Sequence, residues 1–167
     1  MKRIIYLAAI ACMALFVSCE KEDVVSHTGD ETGTLYGIWT LTTKSEITQK
    51  SDGGQEVDEV DYRSRHFYLS LSEFPFPHAI AKKGSFTQFD LDDVDVDAVE
   101  FTYNAEQKKI SFKKTLWLSD DFLTYNMILS GTYDITELTK TKLVLQQKEI
   151  TGTTIAYTYQ KEKQKEE

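Results

Sequence analysis

Along most of the chain apolar and polar residues alternate with a period of two, the spacing that sends every second side chain to the same face of an extended strand. Leu35, Gly37, Trp39 and Leu41 fall on one face of a first strand, and Tyr36, Ile38, Thr40 and Thr42 on the other. Ser51-Asp52-Gly53-Gly54 reads as a turn. A second strand is expected over Tyr62 to Leu71, with Phe67, Leu69 and Leu71 sharing a face. Val99-Phe101-Tyr103 and Ile110-Phe112 flank Asn104 to Lys109 as a hairpin. Met127, Leu129, Gly131, Tyr133 and Ile135 alternate over a longer run, followed by Leu143 and Leu145. A Thr151-Gly152 turn then leads to Ile155, Tyr157 and Tyr159, the clearest hairpin of the chain. Only 119–125 admits a short helix, with Ser119 as its cap before Phe122 and Leu123.

These segments predict an all-β domain over residues 34–160, with about eight antiparallel strands joined by short turns. A sheet of that length must protect its edges by closing or folding over. An up-and-down β-barrel is therefore the expected architecture, and a two-sheet β-sandwich the alternative. Residues 161–167 form a charged tail that ends pairing, and residues 19–33 a polar, small-residue tether before the domain.

The first residues have a different pattern. Met1-Lys2-Arg3 is basic, Ile4 to Val17 is continuously apolar, and Ser18-Cys19 precedes the charged Glu20-Lys21-Glu22-Asp23. As a helix the apolar run rises roughly 21 Å, short of the ~30 Å hydrocarbon core of a bilayer. Residues 1–18 thus read as a secretory signal peptide. Phe16-Val17-Ser18-Cys19 resembles the bacterial lipobox, with Phe16 where leucine is usual. The resemblance implies that Cys19 becomes the lipidated first residue and the membrane anchor. Lys21-Glu22-Asp23 is similar to the acidic export tag of Bacteroides-group lipoproteins, which implies an outer-membrane, surface-exposed protein.

A second resemblance lies in the domain. Gly37-Ile38-Trp39 resembles the Gly-x-Trp signature of lipocalins and the wider calycin group. Gly131-Thr132-Tyr133-Asp134-Ile135, Leu138-Thr139, Leu143-x-Leu145 and Tyr157-x-Tyr159 look like the last three strands of lipocalin-like Bacteroides lipoproteins. This likeness implies a lipocalin-like barrel in which Trp39 closes one end and Gly37 lets a neighbour pack closely. Lipocalins set an arginine from the C-terminal region against that tryptophan. Here Arg63 and Arg65 lie in the second strand, which leaves Lys148 or Lys161 for the place.

Composition narrows the function classes. Removing residues 1–18 leaves 149 residues, enough for one core. Loss of Lys2 and Arg3 takes the formal charge from −8 to −10, a poor match for nucleic acid. Cys12 leaves with the signal and Cys19 is acylated, so the mature fold has no disulfide and no cysteine metal site. The three histidines, His27, His66 and His78, lack metal-ligand spacing. No Gly-x-Ser-x-Gly elbow and no phosphate-binding glycine loop occurs, so an enzyme and a bound cofactor are not expected. The run Asp90 to Asp97 would place Asp93, Asp95 and Asp97 on one side of an extended chain, as calcium prefers. It lacks the glycine and glutamate of an EF-hand loop, and a solvated edge is the expected reading.

Two functional readings follow. One is a lipid-anchored barrel holding a small apolar or amphipathic ligand, with Phe67, Leu69, Phe101, Tyr133 and Tyr157 lining the pocket. The other is an accessory lipoprotein that contacts an envelope protein. Its candidate surface is the stiff loop Glu73-Phe74-Pro75-Phe76-Pro77-His78, where Phe74 and Phe76 fit no strand alternation.

Overall fold

In the computed structural model of the chain, residues 35–84, 98–120 and 125–162 are described. The signal peptide, Cys19, the tether, His27, the aspartates of 90–97, Phe122 and Leu123 lie outside them, as do the expectations placed on those residues.

Nine strands run through the described residues: β1 (Gly37–Gln49), β2 (Gln55–Asp61), β3 (Phe67–Ser72), β4 (His78–Lys83) and β5 (Val99–Asn104), followed by β6 (Lys109–Ser119), β7 (Asn126–Leu138), β8 (Lys142–Lys148) and β9 (Thr154–Lys161). All pairings are antiparallel, in the order β2-β1-β3-β4-β5-β6-β7-β8-β9. β9 then pairs back along β1 from Trp39↔Lys161 to Ile47↔Thr154. That last ladder closes the sheet. The protein is an eight-stranded up-and-down barrel of lipocalin-like form with one extra strand, and the sandwich alternative is set aside.

The extra strand comes from the division of the expected second strand. Residues 62–71 do not extend continuously: the chain leaves β1 after Asp61, turns through Tyr62 to His66, and rejoins it as β3. The outer half of β1 pairs with β2 (Thr43↔Asp61 to Gln49↔Gln55) and its inner half with β3 (Gly37↔Leu71 to Thr40↔Tyr68). Every residue of β2 is exposed, so β2 adds nothing to the core, while the outer half of β1 that it pairs with stays in the wall through its ladder with β9. Acidic side chains on this edge strand (Glu56, Asp58, Glu59, Asp61) discourage pairing with another chain. Two boundaries also move. Ser119 is the last residue of β6 and not a helix cap, and Lys161 belongs to β9 and not to the tail.

The alternation read in the sequence is what fills the barrel. Leu35, Trp39, Leu41, Phe67, Leu69, Leu71, Phe101, Ile110, Phe112, Met127, Leu129, Tyr133, Ile135, Leu143, Leu145, Tyr157 and Tyr159 form one buried cluster. They come from every wall strand except β4, which adds Ala79. Outward neighbours such as Thr40, Lys113, Ser130, Asp134 and Gln160 remain at least partly solvated. Burial of one face of each strand thus supplies the hydrophobic driving force, and closure of the ladder satisfies the backbone.

Candidate functional site

The barrel interior and its two ends are where the sequence placed its candidates. Phe67, Leu69, Phe101, Tyr133 and Tyr157 do converge there from β3, β5, β7 and β9, each no more than 2% exposed. They belong to one buried cluster of side chains. A run of rings, Tyr36–Phe101–Phe112–Tyr133–Tyr157–Tyr159, crosses the interior with successive centroids 6.0–6.5 Å apart. Such tilted and edge-on contacts are those the ring quadrupoles favour.

The tyrosine hydroxyls are committed to partners. Tyr157 donates to the Ile128 carbonyl at 3.1 Å and accepts from the Ile128 N–H at 3.2 Å. Tyr133 donates to the same carbonyl at 3.0 Å, and Tyr159 to the Met127 sulfur at 3.2 Å. These bonds tie β7 to the interior where it has parted from β8, whose ladder with β7 ends at Gln146↔Asp134. Gln147 completes the repair from outside, donating to the Ser130 and Thr132 carbonyls. Burial, above all, pushes the Tyr133, Tyr157 and Tyr159 phenols above their ordinary value. These three phenols are therefore neutral at physiological pH.

One end is built around the signature residues. Trp39 is fully buried and its indole N–H donates to the Leu35 carbonyl at 2.8 Å. The Lys161 ammonium stands 4.9 Å from its ring centroid, so of Lys148 and Lys161 it is Lys161 that meets the tryptophan. Desolvation lowers the proton affinity of this half-buried amine. Gly37 makes the approach feasible. Its φ is +135°, and a Cβ there would lie 2.9 Å from Lys161 Cε. The spacing Gly-x-Trp thus serves a close contact between β1 and β9.

The other end holds residues that sequence reasoning had not assigned a role. Tyr62 accepts the Asn126 N–H and donates to the Asn126 carbonyl, both at 2.8 Å. Its ring meets Tyr125 edge-on at 5.3 Å and Phe67 at 5.5 Å. The Arg65 guanidinium lies 3.7 Å from the Tyr125 centroid and 3.8 Å from the Asp120 carboxylate. Lys44 reaches Asn126 Oδ1 at 3.2 Å and Glu46 at 3.0 Å across the same mouth. The signal in the sequence was the pair of arginines beside Tyr62, but only the broken strand brings Arg65 onto Asp120 and Tyr125 while Arg63 turns to Asp61.

Phe74 and Phe76 lie outside the core in the β3–β4 connection, 84% and 40% exposed. Phe76 rests against the ring of His78 at 5.3 Å. His78, expected in a loop, begins β4 and is buried, with its Nδ1–H donating to the Phe76 carbonyl at 2.7 Å. That bond and ring contact hold the loop's second half, while Phe74 projects. Elsewhere the cross-strand pair Trp117↔Ile128 also faces solvent. Among the described residues, no three His, Cys, Asp or Glu side chains converge as metal ligands.

In comparison with known proteins, no protein family, curated protein or solved structure matches the chain.

Proposed function

We propose that the protein is a lipocalin-like lipoprotein of the Bacteroides type, held on the outer membrane by acyl chains on Cys19, and that its barrel is a scaffold for contact with another envelope protein. The contact surface in this reading is the β3–β4 loop, and the partner supplies an apolar pocket for an aromatic ring. The observation that carries it is the contrast between the committed interior and Phe74, a large apolar ring left 84% exposed on a proline-stiffened loop. A rigid loop loses little entropy on docking, which favours a ring held in this way.

The test has two arms. Cys19→Ser should move the protein from the membrane to the soluble fraction, and an unacylated native N-terminus by mass spectrometry would overturn the anchor. Cross-linking in intact cells should yield an envelope partner that is lost in a Phe74→Ala/Phe76→Ala variant. An unchanged cross-linking pattern would overturn the loop's role. Phe74 is largely solvated, and Phe76→Ala loses a ring contact with His78 but keeps the backbone carbonyl that His78 bonds, so the variant should fold.

A second reading, a small apolar ligand inside the barrel, is favoured by the convergence of Phe67, Leu69, Phe101, Tyr133 and Tyr157 on one inner surface. Fatty-acid titration of delipidated protein tests it: a saturable quench of Trp39 supports the ligand, and an unperturbed core removes it.

A further inference from the structure

Two clefts of about 370 and 540 Å³ meet on the outer wall of the barrel and share Thr141 and Gln160. Their cause is local. β1 carries a bulge between Leu41 and Thr43 opposite β9, and the turn after β2 brings Arg63 alongside it. The first cleft presents the threonines 42, 43 and 158 with Arg63 and Lys142, and no carboxylate lines it. The second adds Lys140, Lys161 and Glu162. Four cations and one carboxylate therefore line a continuous groove on a chain whose formal charge is −8.

That gathering of cations in one groove has a chemical consequence. The surrounding negative field repels anions, whereas a concave cationic strip concentrates them. Arg63 is held by Asp61 at 3.5 Å and Lys142 by Glu137 at 2.8 Å, both as solvated pairs. Pairs of this kind contribute little and exchange readily for an incoming anion. Around the cations the groove offers threonine hydroxyls, each donor and acceptor, and the Gln160 amide, both suited to the hydroxyls of a sugar ring. The volumes match a ligand of one or two rings.

We propose that this outer groove binds an anionic saccharide, a sugar ring bearing a phosphate or carboxylate, with Arg63 and Lys142 on the anion and the threonines on the ring. The site lies on the β1–β9–β8 exterior, so it stands apart from both readings of function above.

The experiment is an NMR titration of the full chain in detergent micelles with glucose 1-phosphate, glucuronate, neutral glucose and inorganic phosphate. The two charged sugars should shift the amides of Thr43, Thr141, Thr158 and Gln160 saturably, with a Kd on the order of 1 mM or tighter. Arg63→Gln and Lys142→Gln should each weaken binding about tenfold, and added salt should weaken it further. Lys109→Gln, at a solvated pair with Asp134 away from the groove, should leave it unchanged. Equal binding of neutral glucose would overturn the anion's role, and equal binding of inorganic phosphate the saccharide's. Shifts confined to other strands, or no saturable shift, would overturn the site.

Discussion

Replacing Gly37 by alanine tests the most specific packing arrangement in the fold. A side chain at φ +135° is strained, at a cost of about 1–3 kcal/mol. The new Cβ would also lie 2.9 Å from Lys161 Cε, so the lysine must withdraw and its ammonium leave the face of Trp39. Losing that cation–π contact at a half-buried site adds about 0.5–2 kcal/mol. Alanine regains about 0.4–1 kcal/mol by restricting the unfolded chain. The net expectation is a loss of about 2 kcal/mol, read as a lower urea midpoint with unchanged slope. Gly53→Ala separates the terms: its φ is +84° with open space around the Cβ, so it reports strain without the clash and should cost about 1 kcal/mol. In a double-mutant cycle, Lys161→Ala should recover part of the Gly37→Ala loss, because the clash is gone. A Gly37→Ala protein within about 0.5 kcal/mol of the parent would refute the reasoning.

Tyr157→Phe removes a hydroxyl bonded to both the N–H and the carbonyl of Ile128, and should destabilise by about 1–2 kcal/mol in urea; no change would show that β7 does not depend on it. Trp117→Ser, at a solvated site on β6, should change stability by less than about 0.5 kcal/mol and leave the blue-shifted emission of buried Trp39. Alkaline pH should unfold the barrel, because the Tyr133, Tyr157 and Tyr159 phenols are raised above 10.0 and the folded state holds protons that the unfolded chain releases. Their contribution is complete below pH 10.0 and is lost as pH rises through the folded values. Urea midpoints that stay level from pH 8 to 11, or phenolate absorbance rising fully before the circular dichroism changes, would contradict this.

Much of the barrel was legible in the sequence. Wherever a strand buries one face, its side chains must alternate, so β1, β3 and β5 to β9 announced their inward residues, and the Asn104–Lys109 and Thr151-Gly152 turns set their hairpins. Strands without that asymmetry stayed hidden. β2 is exposed on both faces and its only apolar residues, Val57 and Val60, are three apart, so nothing in its pattern marks a strand. Its pairing is imposed by the Lys50–Gly54 turn and by the outer half of β1.

The sequence by itself determined a period-two chain with enough inward apolar surface to need closure, and it marked Gly37 and Trp39 as a close-packed end. Only the tertiary structure decided that Lys161 faces Trp39, that Arg65 lies over Tyr125, and that Arg63 and Lys142 share one groove. Alternation is local because each residue meets water or core according to its own strand face. Contacts between residues tens of positions apart depend on which ladders close and where a bulge or break shifts their register, and no short stretch of sequence encodes that.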